Sequence, residues 1–257
     1  MNRRAAFLIL LLLLSSAAAG LAAWGLVRHG ALAERSLPDR RIVQHFLTIA
    51  FGREHADGPG RQLAKWRRGI RYKVLRWAGG PDSERAEALL HRQMGFLAAL
   101  SGLHIARTDL FDANFVVALT SEDLFAWQMR RALARAGRLP GGRIADANCA
   151  GVFGQEIETG AIAYARVIIP VDRAVRRNLL ERCVAEETAQ VLGLPNDADG
   201  GVRSVFNDAD RSTGLSRLDR LFVALLYHPR LEPGLSRDET ARRLRQILPA
   251  VRRRLAY

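Results

Sequence analysis

The sequence has few cysteines, few lysines and no repeats. Its 257 residues include two cysteines, Cys149 and Cys183, which are too far apart for a C-x-x-C zinc or redox site. It has no low-complexity tract, no repeat of solenoid length and no glycine–serine linker. These absences exclude repeat arrays and disordered chains. With 49% hydrophobic and 25% charged residues, the composition is that of a globular protein with one core.

Lysine is nearly absent from a strongly basic chain. The formal charge is +13, and of 39 basic residues all but Lys65 and Lys73 are arginine. The arginines are scattered, which fits solvated helix faces better than a binding stripe. The sequence also lacks the interleaved aromatic and basic residues that are typical of single-strand nucleic-acid binding. We therefore predict no nucleic-acid partner, and a weak attraction to anionic lipid or to an envelope polymer is the remaining interpretation of the charge.

The amino-terminal segment, residues 1–28, has the pattern of an export signal. Arg3 and Arg4 form a positive start, residues 5–14 are an unbroken apolar run, and small residues follow over 15–19. Apolar character continues to residue 28, which is long enough for a membrane-spanning helix. A cleaved signal peptide and a retained signal anchor both fit. Either one predicts an exported protein, periplasmic or anchored in the inner membrane with its domain in the periplasm.

Export changes the interpretation of the two cysteines. In an oxidising compartment, two cysteines are more often bridged than free. We therefore predict a disulfide between Cys149 and Cys183, which would join a loop to the helix that carries the motif described below. The alternative is a pair of buried free thiols.

Hydrophobic periodicity predicts helices and strands without regular alternation. This mixture is typical of an α+β domain, here over residues 37–257, with a mixed sheet and long helices behind the amino-terminal segment. Trp66, Trp77 and Trp127 lie at apolar positions and are predicted to be in the core or to line a cleft. The predicted helices are 41–51, 81–101, 124–136, 172–193, 215–227 and 237–255, and the predicted strands are 70–75, 115–119 and 162–169.

The most informative segment is residues 186–197, which read E-E-T-A-Q-V-L-G-L-P-N-D. Zinc peptidases of the H-E-x-x-H type carry histidines at i and i+4, so that both rings leave one side of a helix toward one metal ion. The metzincin version adds a glycine and a third histidine. The segment resembles that motif with every histidine replaced. Glu186, Gln190 and Asn196 stand at the three ligand positions, Glu187 stands at the catalytic-base position, and Gly193 is the turn glycine.

The resemblance to metzincin proteases of the matrixin type continues beyond the motif. Residues 204–208 are similar to the turn that carries a methionine below the metal, with Phe206 at the methionine position, and residues 215–227 are similar to the helix that follows. The chain also resembles an exported bacterial family catalogued as a domain of unknown function. These resemblances imply one degenerate metzincin-like (zincin-like) domain over residues 37–257, and they imply no activity. The second resemblance rests on residues 186–197, 206–208 and 226–234.

The replacement of all three histidines disfavours zinc. Catalytic zinc binds nitrogen or sulfur ligands with at most one carboxylate, whereas these positions offer one carboxylate and two amide oxygens. Without zinc, no ion lowers the pKa of a water molecule that Glu187 could deprotonate. No cofactor is therefore predicted, with calcium as the alternative because oxygen ligands suit it. The acidic loops could supply such ligands, or their side chains could make turn and cap hydrogen bonds. Their carboxylates are Asp197, Asp199, Asp208 and Asp210.

A structural role is our preferred hypothesis for the ligand positions. Gln190 and Asn196 each carry two N–H donors and a carbonyl, and Glu186 is an acceptor. A hydrogen-bonded cluster of the three could hold the helix against the returning loop, as a metal ion does in the proteases.

Three functions follow from this reading of the sequence. The first is an exported, non-catalytic module of metzincin-like fold, a pseudoprotease that binds a peptide or an envelope component along a sheet-edge strand. The second is a metallopeptidase-like hydrolase that uses Glu187 with a metal other than zinc. The third is a structural envelope protein in which the fold matters and the groove does not. An enzyme is not the expected outcome.

Overall fold

The computed structural model describes residues 37–52, 62–135, 147–197, 202–207 and 209–257. The segment predicted as an export signal, residues 1–28, lies outside these ranges, and so do Asp199 and Asp208. Residues 39–257 form one compact unit. Within the described ranges, no helix has both the length and the hydropathy that a membrane span requires.

Five strands and seven helices make up the described chain. Several helix boundaries follow from local chemistry; α6, for example, begins after Ser216, whose hydroxyl accepts a hydrogen bond from the backbone N–H of Asp219 in a capping box. In chain order the elements are α1 (Asp39–Phe51), β1 (Ile70–Arg76), α2 (Pro81–Ser101), β2 (Ile105–Arg107), β3 (Phe115–Thr120), α3 (Glu122–Arg135), β4 (Ala150–Gln155), β5 (Ile162–Pro170), α4 (Val171–Arg176), α5 (Leu180–Gln190), α6 (Arg217–Leu226) and α7 (Arg237–Arg254).

The strands form one mixed sheet in the order β2-β1-β3-β5-β4. β1, β2, β3 and β5 run parallel, and β4 pairs antiparallel with β5 at the end of the sheet. The predicted α+β class and mixed sheet are therefore confirmed.

The two faces of the sheet are covered differently. Val117 aligns with Val74 and Val167, so these side chains share what we call the inner face. Helices α2 and α5 pack on this face, and α6 and α7 extend the core behind them. The opposite, outer face carries Ala118, against which Phe125 and Met129 of α3 pack. α3 is the one helix that the described residues contribute to the outer face.

The helix predicted over 172–193 is two helices, and that prediction is corrected. α4 ends at Arg176, and α5 begins at Leu180. Between them Asn178 has φ 55°, a left-handed conformation that asparagine tolerates better than most residues and that ends a helix. The break lets α5 start in a new direction, along the inner face of the sheet.

Strands β2 and β4 were not predicted, because their sequences carry weak strand signals. β2 has three residues, and β4 contains two glycines. The tryptophan predictions hold in part. Trp66 is buried, as predicted, whereas Trp77 and Trp127 are 49% and 37% exposed. They are not in the core but pack on each other edge to face, with ring centroids 5.7 Å apart.

Candidate functional site

Helix α5 carries both motif glutamates into the protein interior. Glu186 and Glu187 are 8% and 5% exposed. A carboxylate that is removed from water is strongly destabilising unless a partner compensates for its charge and hydrogen bonds. The groups that pair with these two carboxylates therefore determine the structure of the site.

The partner of Glu186 is Arg182, one helical turn earlier. The Nε atom of Arg182 lies 2.9 Å from Oε2 of Glu186. Its Nη2 donates to the carbonyl oxygens of Val205 and Asn207, at 3.0 Å each, and its Nη1 donates to the carbonyl of Asp210. One buried guanidinium thus joins α5 to the loop of residues 205–210.

Sequence reasoning missed Arg182, although a signal was available. Arginine four residues before glutamate on a helix is an ordinary ion-pair spacing. The hypothesis of a Glu186–Gln190–Asn196 cluster left Arg182 out, and the described contacts pair Glu186 with that cation. The physical reason is that a guanidinium carries five N–H donors and reaches three carbonyls while neutralising the carboxylate.

Asn196 holds a different part of the chain. Its backbone N–H and its Nδ2 donate to the carbonyl of Ile49 in α1, at 3.2 and 2.7 Å. Gln190 ends α5 and is half-buried, and its carbonyl accepts hydrogen bonds from the backbone N–H groups of Gly193 and Leu194. Of the three candidate ligand positions, Glu186 thus contacts Arg182, Asn196 contacts α1, and Gln190 contacts the turn after α5.

The turn of residues 204–207 lies on a buried carboxylate. Oδ1 of Asp219 accepts a hydrogen bond of 2.5 Å from the Ser204 hydroxyl, and Oδ2 accepts from the N–H groups of Val205 and Ser216 at 3.0 and 2.8 Å. Burial raises the pKa of Asp219, and these donors partly oppose that shift. Phe206, the residue predicted at the methionine position, is fully buried within this turn.

Glu187 lies under strand β4. A Cβ atom on Gly151 would stand 3.1 Å from Oε2 of Glu187 and 2.9 Å from a methyl group of Val191. The absence of a side chain at Gly151 therefore lets the strand approach the helix closely. The carboxylate at the predicted catalytic-base position borders the edge strand of the sheet.

The turn after α5 depends on Gly193. Its φ is +122°, and a Cβ atom there would collide with the carbonyl of Ala64. Two carbonyls of the same turn accept hydrogen bonds from distant side chains. Trp66 Nε1 donates to the carbonyl of Val191 at 2.9 Å, and the Tyr227 hydroxyl donates to the carbonyl of Leu192 at 2.8 Å.

Lys65 is packed against this turn from the side. Its ammonium lies 5.2 Å from the centre of the Tyr227 ring and donates to the carbonyl of Leu231 at 2.6 Å. Burial lowers the pKa of Lys65 to about 8, against a smaller opposing effect of Glu232. Burial also raises the pKa of Tyr227.

Of the acidic-loop residues, Asp210 makes turn contacts. Asp210 accepts from the backbone N–H of Ser204 at 2.9 Å and from the Ser212 hydroxyl at 2.5 Å. Asp197 is half-buried, and Asp199 and Asp208 lie outside the described residues. In the described ranges, no three His, Cys, Asp or Glu side chains come together in a way that could hold a metal ion.

The predicted disulfide is present, between Cys149 and Cys183. Cys149 directly precedes β4, and Cys183 lies on α5 one turn before Glu187. The bond therefore ties the edge strand to the helix that carries the candidate site.

Comparison with known protein families finds a match over most of the chain. A family model described as a protein of unknown function, DUF2927, matches residues 39–246. No curated protein matches the chain. The match supports the predicted likeness to a domain-of-unknown-function family, and it carries no activity.

Proposed function

The chain belongs to the DUF2927 family, and we propose that it is a non-catalytic binding module of metzincin-like architecture that takes an extended peptide along β4. The proposal includes its location, on the exported side of the membrane through residues 1–28. The observation that carries it is the position of an antiparallel edge strand directly over Glu187.

An edge strand is a template for a peptide. β4 ends the described sheet, with β5 as its neighbour in the strand order. An extended segment that adds to such a strand gains main-chain hydrogen bonds, while pockets beside the strand select its side chains. The part of β4 from Ala150 to Val152 lies next to Glu187 and Val191, so a peptide bound there would run past the motif helix.

The charge distribution supports binding without metal catalysis. Glu186, at the first ligand position, is already neutralised by a guanidinium 2.9 Å away. A divalent cation at the same carboxylate would be repelled by Arg182 at close range. The turn that a metal would brace from below is held instead by Arg182 and Asp219.

The test uses matched peptides on the full-length chain. Fluorescent decapeptides of acidic, neutral and basic composition are titrated, each beside a version N-methylated at alternate residues, and binding is measured by anisotropy. We expect saturable binding by one class, loss of binding on N-methylation because strand addition needs the peptide N–H groups, and no cleavage by mass spectrometry. Equal binding of both versions would overturn strand addition.

The second candidate is a hydrolase that uses Glu187 with a metal other than zinc, and the burial of Glu187 beside β4 is the observation in its favour. Elemental analysis of the purified chain separates the two. The hydrolase would be established by stoichiometric metal together with peptide cleavage. Both chelation and the Glu187→Gln substitution should then abolish that cleavage. In the binding module, Glu187→Gln leaves peptide affinity within about twofold, since strand addition uses main-chain groups.

A further inference from the structure

The described residues cover the outer face of the sheet only in part beside α3. Lys73 and Leu75 alternate with inner-face residues on β1, and Trp77 follows at the next outward position. All three are half-buried or exposed. Trp77 contacts Trp127 of α3, so the row continues from the strand onto the helix.

The loop between β2 and β3 adds two apolar side chains to this row. Phe111 is fully exposed and Leu110 is 68% exposed. The loop is held in place by Arg71, which lies 2.7 Å from the Asp112 carboxylate, and by Lys73, whose ammonium donates to the carbonyl of Asp109 at 2.6 Å. The exposed pair is therefore presented by a hydrogen-bonded loop rather than by a loose one.

A cation lies over two of the aromatic rings of this face. Lys73 is 5.4 Å from the Phe111 ring, and Arg131 is 4.9 Å from the Trp127 ring. Farther along α3, Arg135 is 4.5 Å from the ring of Tyr164 on β5. We call Lys73, Trp77, Phe111, Trp127 and Arg131 the cation–aromatic face.

We propose that the cation–aromatic face docks on the surface of an anionic phospholipid bilayer. Exposed tryptophan belongs at the depth of lipid headgroups, where its ring is half in hydrocarbon. Arginine and lysine can lay their stems on apolar surface while the charged end meets phosphate. The loop carboxylates of Asp112 and Asp109 lie 2.7 Å from Arg71 and 3.7 Å from Arg107, which leaves Lys73 and Arg131 as the charges over the rings, in keeping with the chain's charge of +13.

Another exposed apolar side chain offers a matched control. Ile157 is 92% exposed in the turn between β4 and β5, and it is flanked by Glu156 and Glu158. Anionic lipid should repel this turn, although the exposure of Ile157 lies between those of Leu110 and Phe111.

The test is hydroxyl-radical footprinting of the full-length chain in nanodiscs, with oxidation read residue by residue by mass spectrometry. We expect oxidation of Trp77, Trp127 and Phe111 to slow at least about threefold in nanodiscs rich in an anionic phospholipid, relative to purely zwitterionic ones. Raising the salt to about 1 M, where screening acts over about 3 Å, should restore the rates. Ile157 should react equally in both. The amino-terminal segment is unchanged in the variants described next, so a difference between those variants and the wild type does not come from it.

Variants and competing partners complete the test. The double change Leu110→Ser with Phe111→Ser should abolish the slowing at Trp77 and Trp127, whereas Ile157→Ser should not, with circular dichroism as the check on folding. Equal rates in the two lipids would overturn the proposal. So would slowing that grows with protein concentration without lipid, which indicates a second copy, or slowing by a single-stranded oligonucleotide but not by anionic nanodiscs.

Discussion

The inner and outer faces of one sheet handle charge and aromatic surface in opposite ways. On the inner side, Arg182, Glu186 and Asp219 are buried. Arg182 donates to Glu186 and to the carbonyl of Val205, and Asp219 accepts from the N–H of Val205. On the outer side, Trp77 and Trp127 are exposed, with Arg131 stacked above the Trp127 ring. Both faces use arginine beside a group that is unfavourable in its surroundings, a carboxylate in the interior and an aromatic ring in water.

The difference indicates what each face is for. Buried charges remain favourable only if every partner stays in place, so the inner side is rigid and intolerant of change. Exposed rings covered by cations contribute little to folding, so their presence points to contact with something outside the chain. Stability measurements should therefore separate the two faces cleanly.

The largest expected difference is between two arginines. Arg182→Met leaves the Glu186 carboxylate and three carbonyls without their donor, and we expect the free energy of unfolding to fall by about 3–5 kcal/mol. Arg131→Met removes an exposed contact over a ring and should cost at most about 1 kcal/mol. Denaturant unfolding measures both. If the two variants are equally stable, the contrast between the faces is wrong. Arg182→Met with Glu186→Met should recover part of the loss.

The next difference is between two glycines. Gly193→Ala forces an alanine to φ +122° and into the carbonyl of Ala64, and we expect a loss of about 2–4 kcal/mol from backbone strain and overpacking. Apart from its chain neighbours, no described residue has an atom within 4 Å of the place that a Cβ on Gly79 would occupy, so Gly79→Ala should change stability by less than about 0.5 kcal/mol. Thermal melts that rank these two the other way would contradict the described turn.

Two tryptophans give a smaller contrast. Trp66→Phe removes the indole N–H that donates to the buried carbonyl of Val191, and we expect a loss of about 1–3 kcal/mol. Trp77→Phe keeps an aromatic ring on the outer face and should cost less than about 0.5 kcal/mol. Unfolding by guanidinium chloride, followed by circular dichroism, distinguishes them; a loss confined to Trp77→Phe would reverse the assignment of the faces.

The smallest effect is a pH dependence that comes from Lys65. Its pKa is lowered from 10.5 to about 8 in the folded protein, so between these values the unfolded chain binds more protons than the folded one. The free energy of unfolding should therefore rise with pH across that window. Because the side chain is half-buried, the rise should stay well below the ceiling of about 1.4 kcal/mol per pH unit.

The control for this pH dependence is Lys65→Met. The free energy of unfolding of this variant should lack the Lys65 contribution. Subtracting it from the wild-type value at each pH therefore isolates the effect of Lys65. Lys73→Met on the outer face should follow the wild type. A difference between wild type and Lys65→Met that does not change between pH 8 and 10.5 would show that Lys65 is not held in the buried position described.

Much of the fold could be predicted because several helices show a clear local periodicity of apolar residues. α1, α2 and α7 follow apolar spacing, and their observed bounds are within about two residues of the predicted ones. β2 and β4 could not be found in this way, since three residues or two glycines give too little pattern. The break at Asn178 was missed because a left-handed residue has no periodic signal.

Only those features of the candidate site that depend on neighbouring positions in the sequence could be predicted. The positions of Glu186, Glu187 and Gly193 on one helix and turn followed from their spacing. The contacts of Arg182 with residues 205–210 and the pairing of Lys73 with Phe111 join segments that are distant in sequence. Such pairings depend on tertiary packing. For this reason the sequence shows no interleaved basic and aromatic residues, although the folded chain carries the cation–aromatic face.

Arg182 has a consequence for how the protein matures. The positive charge that closes the join between α5 and the loop of residues 205–210 is covalently part of the chain. Assembly of this join uses groups of the chain itself, so a chelator should leave it intact. The join can therefore form as soon as α5 and the loop of residues 205–210 meet during folding.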